Sequence, residues 1–242
     1  MRAVLFDCDG TIADSCGLIC ETMRRTFVSR GLSDPGDAAT RAIIGLSLGD
    51  AMARLHPAAD AAGIAMLVEG YRETFRGTRD DPAFRESLFP GMKDLVVRLG
   101  RRPDVLVGMV TGKSRRGVAS ICAAHGMDGL FLSVRTADDC PSKPHPAMVE
   151  ECCAELGVHP SECVVVGDAI FDMQMAVHAG ATGIGVTWGT NPAEPLVAAG
   201  ASDVACDVDH LAALIEAWLE GRHARSRHSA RDGDADWQGD AA

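Results

Sequence analysis

Arg2-Ala3-Val4-Leu5-Phe6-Asp7-Cys8-Asp9-Gly10-Thr11 is the stretch whose reading decides the fold. Ala3 to Phe6 is an unbroken apolar run, which predicts a short strand buried on both faces, as in a parallel sheet. Two acids follow at once, and Gly10 and Thr11 permit a tight exit. The run therefore puts Asp7 and Asp9 at the carboxyl edge of a sheet, where open α/β folds bind ligands. Two unit charges about 4 Å apart repel by roughly 4 kcal/mol at an effective dielectric near 20. The pair needs a cation, a shared proton or ample water, and Mg²⁺, which takes a few carboxylates plus waters, is one answer. A plain polar Asp-Gly turn is the other.

Outward from that strand, Leu18, Ile19, Thr22, Met23, Thr26 and Phe27 repeat at helical spacing, and Arg41–Ile44, Leu48–Leu55 and Ile64–Phe75 also read as helical. No strand-like run falls between Thr11 and Leu88. After Leu88-Phe89-Pro90-Gly91 the pattern alternates. Strands are predicted at Val105–Val110, Phe131–Val134, Cys163–Val166, Thr182–Val186 and near Val204, with helices between them and a last amphipathic helix through Leu211, Ile215 and Leu219. The fold class is α/β, a doubly wound parallel-sheet (Rossmann-like) core with an inserted α-helical domain. Residues 1–15 and 87–221 form the core, 16–86 the helical insertion, and 222–242, almost without apolar residues, a disordered tail.

Three more polar clusters sit where apolar strands end or helices begin. Val105–Val110 runs into Thr111-Gly112-Lys113-Ser114, Cys163–Val166 into Gly167-Asp168-Ala169-Ile170-Phe171-Asp172, and Ser142-Lys143-Pro144-His145-Pro146 opens a helix. Each alone has an ordinary reading: Thr111 and Ser114 as helix caps, Lys143 as a surface cation, Asp168 and Asp172 as helix-start acids. Together they gather acids, a hydroxyl and a lysine at one sheet edge.

A net charge of -11 lacks the basic face that nucleic-acid or anionic-membrane binding requires. No apolar run approaches the roughly 18 residues of a membrane span, and no signal peptide precedes Asp7. The nine cysteines are odd in number and without zinc-ligand spacing, which suits reduced, buried thiols of a cytoplasmic protein.

From Arg2 to about Leu219 the four clusters, in this order and spacing, resemble the haloacid dehalogenase superfamily, and within it the phosphatases that carry a helical cap after the first strand. The phosphoglycolate phosphatase-like members are the most similar, including the pattern Arg41-Ala42-Ile43-Ile44-Gly45-Leu46-Ser47. The resemblance implies a Mg²⁺-dependent hydrolase of small phosphorylated metabolites that works through an aspartyl phosphate. Asp7 would be the nucleophile and Asp9 the acid and base, Thr111 and Gly112 would hold phosphoryl oxygens, and Lys143 would neutralise charge. Asp7, Asp9, Asp168 and Asp172 would serve the metal, with Asp172 a ligand or a supporting group. Arg41 and Arg72 are the cap cations expected to meet substrate, though Arg72, in Tyr71-Arg72-Glu73, also fits a surface ion pair. Dehalogenating members lack the second acid, so Asp9 argues against that reaction. Mutase members resembling β-phosphoglucomutase carry cationic grips where this chain has Ile19 and Leu48. A pyrophosphatase, a phosphosugar mutase and a non-catalytic phosphate-binding module remain the alternatives. Oligomeric state is not legible.

Overall fold

The computed structural model describes residues 1–221; the expected tail, 222–242, lies outside the described residues. β1 (Arg2–Phe6) is a central strand of a six-stranded parallel sheet, with β4 (Val105–Thr111) on one side and β6 (Cys163–Gly167) on the other. β5 (Ser133–Thr136) lies outside β4, and β7 (Thr182–Val186) and β8 (Asp203–Ala205) continue beyond β6. The strand order reverses direction at β1, so the crevice between the carboxyl ends of β4, β1 and β6 is the expected ligand position of a doubly wound sheet.

The apolar run of β1 is explained by its neighbours. Val4 and Phe6 face one layer, packing with α5 (Met92–Gly100), α6 (Arg115–His125) and α10 (Val208–Leu219). Ala3 and Leu5 face the other, against α7 (Ala147–Leu156) and Met175 of α8 (Ile170–Ala179). A strand covered on both sides has no face left for polar residues until it ends. The short α9 (Ala193–Ala198) seats Leu196 beside β7 and β8.

Between the first strand and Leu88 the chain forms α1 (Cys16–Ser29), α2 (Asp37–Arg41), α3 (Leu48–Leu55) and α4 (Ala61–Arg79). Ser47 and Asp60 cap α3 and α4, their side chains accepting from the backbone N–H of Asp50 and Gly63. α4 outruns the expected Ile64–Phe75 at both ends: the Asp60 cap starts it earlier, and Arg76 and Arg79 suit the negative end of its dipole. Met23, Phe27, Ile43, Leu46, Met52 and Leu67 pack together and onto Ala169 and Phe171 of the core. The insertion is thus seated on the sheet edge by apolar contact.

Two expectations need correction. Ala13–Asp14 forms a short strand, β2, that pairs antiparallel with β3 (Ser87–Leu88), tying together the two crossings between core and insertion. Two-residue strands carry no periodicity that could be detected in the sequence. β5 begins two residues later than Phe131, because pairing starts where Ser133 meets Gly108 of β4. Arg135 on this edge strand bonds Glu151 and Glu155, which blunts the open edge with charge.

Candidate active site

Asp7 comes directly after β1, and its backbone N–H donates to Val166 of β6 at 2.9 Å, so the sheet itself aims the residue. Asp7 Oδ1 accepts from Lys143 Nζ at 2.6 Å. Asp7 Oδ2 is buried and has no hydrogen-bond partner. Lys143 also donates to Asp172 Oδ1 at 2.6 Å and is fully buried between the two acids. Asp172 Oδ2 is taken up by the backbone N–H of Ala169 at 3.0 Å, so both of its oxygens are engaged within the protein. Asp168 comes directly after β6. Its Oδ1 accepts from Thr11 Oγ1 at 2.9 Å, and its Oδ2 from the N–H and hydroxyl of Thr190, each at 2.8 Å.

Gly10 makes this packing possible. Its φ is +85°, and a Cβ there would lie 2.3 Å from Asp168 Oδ2, so both the backbone and the space demand glycine.

The electrostatics are set by burial. Loss of water, with Asp172 and Asp168 nearby, pushes Asp7 up to about 8 even though Lys143 pulls it down. Burial and Asp172 push Asp168 up to about 6. For Lys143 burial disfavours the ammonium, but Asp172 and Asp7 outweigh it and hold the charge. Ligand oxygens of Asp7, Asp168 and Asp172 fall within 4.8 Å of one another. Were all three carboxylates to give up their protons, as ligation of a cation requires, one ammonium would leave two negative charges uncompensated, which is the charge a divalent cation supplies. That balance and the orphaned Asp7 Oδ2 both fit a metal at this position.

Asp9 has a separate setting. Its Oδ1 accepts from Ser15 Oγ and from Lys113 Nζ, each at 2.7 Å. Lys113 Nζ also reaches Glu86 Oε1 at 2.7 Å. Thr111, buried at the end of β4, accepts from the Lys113 backbone N–H at 3.2 Å, and Ser114 caps α6. Gly112 lies under the loop between α2 and α3: a Cβ on it would come within 2.5 Å of the Leu46 carbonyl oxygen and 2.6 Å of that of Gly45. The Ser47 N–H donates to Ser142 Oγ at 2.8 Å, pinning the same loop to the core.

A cleft of about 750 Å³ opens between this edge and the insertion, with Asp7, Asp9, Thr111 and Gly112 on its floor. Arg72 of α4 lines it and pairs with Glu69 at 3.6 Å, not with its neighbour Glu73. Arg41 is exposed and is not among the residues lining the cleft. Ile19 and Leu48 do line it, as apolar surface. His145 accepts from the Ala147 N–H at 3.2 Å, a helix-start role. Cys8 packs into the apolar core; eight of the cysteines are buried and only Cys206 is exposed. Lys113, Glu86 and Ser15 carry no motif of their own that marks them for this site. The signal for Lys113 is the charge of Asp9, which needs a balancing cation, and Lys113 lies within a stretch already singled out.

A doubly wound sheet with this acid-and-lysine cluster under a helical insertion defines an α/β phosphatase. Residues 4–186 match the haloacid dehalogenase-like hydrolase family, and the chain belongs to that family. It is 31% identical over 219 residues to a phosphoglycolate phosphatase of Yersinia pestis, covering 90% of this chain and 93% of that one. It is 30% identical over 189 residues to a pyrophosphatase of Anoxybacillus flavithermus, covering 78% of this chain and 84% of that one. In fold it is similar to a hydrolase from Pseudomonas syringae, with a TM-score of 0.79 at 24% identity, covering 89% and 98% of the two chains. A β-phosphoglucomutase from Clostridium difficile is similar too, with a TM-score of 0.76 at 18% identity, covering 96% and 100%. Among the described residues, no helix is long and apolar enough to cross a membrane.

Proposed function

We propose that this protein hydrolyses small phosphate monoesters through an aspartyl phosphate on Asp7, with Mg²⁺ as cofactor and phosphoglycolate or a similarly small phosphorylated acid as substrate. The observation that carries the reading is Asp7 itself: one oxygen is held by Lys143, and the other is buried without a partner.

In the first step an Asp7 oxygen bonds to phosphorus while the ester P–O bond breaks, and Asp9 gives its proton to the departing oxygen. In the second, Asp9 takes a proton from water as the water oxygen bonds to phosphorus and the Asp7 O–P bond breaks. Inorganic phosphate leaves, Asp7 returns as the free carboxylate and Asp9 in its protonated form. Thr111 Oγ1 and the Gly112 N–H receive phosphoryl oxygens, and Lys143 offsets the charge gathered between Asp7 and the phosphoryl group. Asp7, Asp168 and the backbone carbonyl of Asp9 would hold Mg²⁺, with Asp172 keeping Lys143 in place from behind; the ion would neutralise phosphoryl charge. Acid–base help contributes about 10²- to 10⁴-fold, whereas phosphate-monoester hydrolysis calls for up to about 10²¹-fold. Positioning and charge neutralisation must supply most of the acceleration. The insertion, packed over the cleft, acts as the cap that excludes bulk water.

The Yersinia pestis phosphatase supports the substrate assignment, and the Anoxybacillus flavithermus pyrophosphatase supports pyrophosphate as the second reading. The apolar Ile19 and Leu48 in the cleft speak against a mutase, which must grip a second phosphate. Phosphate release across a panel of metabolite phosphates and pyrophosphate, with Mg²⁺ and with chelator, tests the proposal. Strong preference for pyrophosphate overturns the substrate; release unaffected by chelator overturns the metal.

A further inference from the structure

We infer that Lys113 and Glu86 couple the seating of the helical insertion to the orientation of Asp9, which makes Lys113 a positioning residue for the acid–base steps. The inference rests on the phosphatase reading above.

Both places where the chain crosses between core and insertion converge on one carboxylate oxygen. Ser15, directly before α1, donates to Asp9 Oδ1. Glu86, directly before β3, reaches the same oxygen through Lys113, whose Nζ sits 2.7 Å from each acid. Among the described residues no other side chain or backbone group bonds the Asp9 carboxylate. Oδ1 is therefore anchored and Oδ2 is left for substrate and water.

The lysine is housed for this task. Its side chain is 9% exposed, against 12% for Asp9 and 18% for Glu86, so this is not a solvated surface pair of the kind worth about 0–1 kcal/mol. Gly117 on α6 leaves room for its stem, since a Cβ there would lie 2.8 Å from Lys113 Cγ. Its ammonium stands 5.9 Å from the centre of the Phe75 ring on α4. Burial opposes the charge, but the Asp9 and Glu86 carboxylates, each 2.7 Å from Nζ, keep it in place. Of the groups around the ammonium, Asp9 belongs to the core, Phe75 to the insertion and Glu86 to the return crossing. Any movement of the insertion therefore pulls on the group that holds Asp9.

Leaving groups of different basicity separate this role from a structural or substrate-gripping one. An aryl alcohol departs without a proton, whereas an alkyl alcohol needs the one Asp9 gives. For Lys113→Met we expect kcat on an alkyl phosphate to fall by about 10- to 100-fold, part of the acid–base share of about 10²–10⁴. Its KM should stay within about threefold, and first-turnover release of aryl alcohol from p-nitrophenyl phosphate should change less than about threefold. Glu86→Gln should show the same split more weakly, and Lys113→Arg should restore part of the loss. Equal losses on both esters, or a raised KM with kcat unchanged, overturn the inference. If Lys113→Met does not fold, the split in Glu86→Gln decides, since that variant keeps the lysine. A wild-type enzyme that releases phosphate from neither ester refutes the phosphatase reading, and this role with it.

Discussion

Gly112→Ala adds one methyl group where the insertion meets the phosphoryl-binding end of β4. In the present structure that carbon would stand 2.5 Å from the Leu46 carbonyl oxygen and 2.6 Å from that of Gly45. Reaching 3.0 Å takes a retreat of about 0.5 Å (3.0 − 2.5), and ordinary contact at 3.4 Å takes about 0.9 Å (3.4 − 2.5). Both obstacles are backbone, so no side chain can swing aside. Gly112 has no positive φ, so alanine introduces no backbone strain of its own. The loop, held by the Ser47–Ser142 hydrogen bond and by Leu46, must lift instead. A misplacement near 1 Å costs about 10²-fold in a positioned reaction, or about 2.7 kcal/mol at 1.36 kcal/mol per factor of ten. We expect kcat/KM for phosphate release to fall by about 10- to 100-fold while Tm moves by only a few degrees. Gly77→Ala, on α4 with open space around it, is the control and should keep full activity. Activity of Gly112→Ala within about threefold of wild type would show that the loop does not govern the site, and the reasoning from the close approach would fail.

Asp7→Asn is expected to abolish turnover, and Asp9→Asn to leave a slow enzyme that accumulates acyl phosphate, because attack survives while water loses its base; rapid quench with mass analysis reads both, and a near-normal Asp7→Asn rate refutes the mechanism. Lys143→Met strands Asp7 and Asp172 without a countercharge in the interior, so denaturant melts should lose about 3–5 kcal/mol; a loss under about 1 kcal/mol would show that the pair is not truly desolvated. For the metal-free protein, the sign of the pH dependence is set by acids whose folded pKa values are raised, Asp7 to about 8 and Asp168 to about 6 from 3.8. Between those values the folded state holds protons that the unfolded chain has released, so stability falls as pH rises through that window. Saturating Mg²⁺ should raise Tm more at pH 8 than at pH 5, and thermal melts with chelator as reference check it; an equal gain at both refutes the charge argument.

Much of this molecule was legible without coordinates, and for one reason: a buried strand fixes the position of the residues that come directly after it. Ala3–Phe6, Val105–Val110 and Cys163–Val166 are apolar because the sheet is covered on both faces, so Asp7, Thr111 and Asp168 had to emerge at its carboxyl edge. The helical insertion was equally plain from its 3.6-residue period. What local sequence could not settle is which side chains meet across distant segments, because that depends on how the helices rotate and dock once their apolar faces are buried. Lys113 is 104 residues from Asp9 and 27 from Glu86 along the chain, yet it bonds both. Arg41 and Arg72 looked alike as cationic candidates, but only Arg72 faces the cleft. The family resemblance left Asp172 open as a metal ligand or a supporting group, and which donors its oxygens meet was not legible along the chain. Folding commits its two oxygens to Lys143 and the Ala169 amide, because a buried carboxylate must satisfy its charge with whatever donors packing brings beside it.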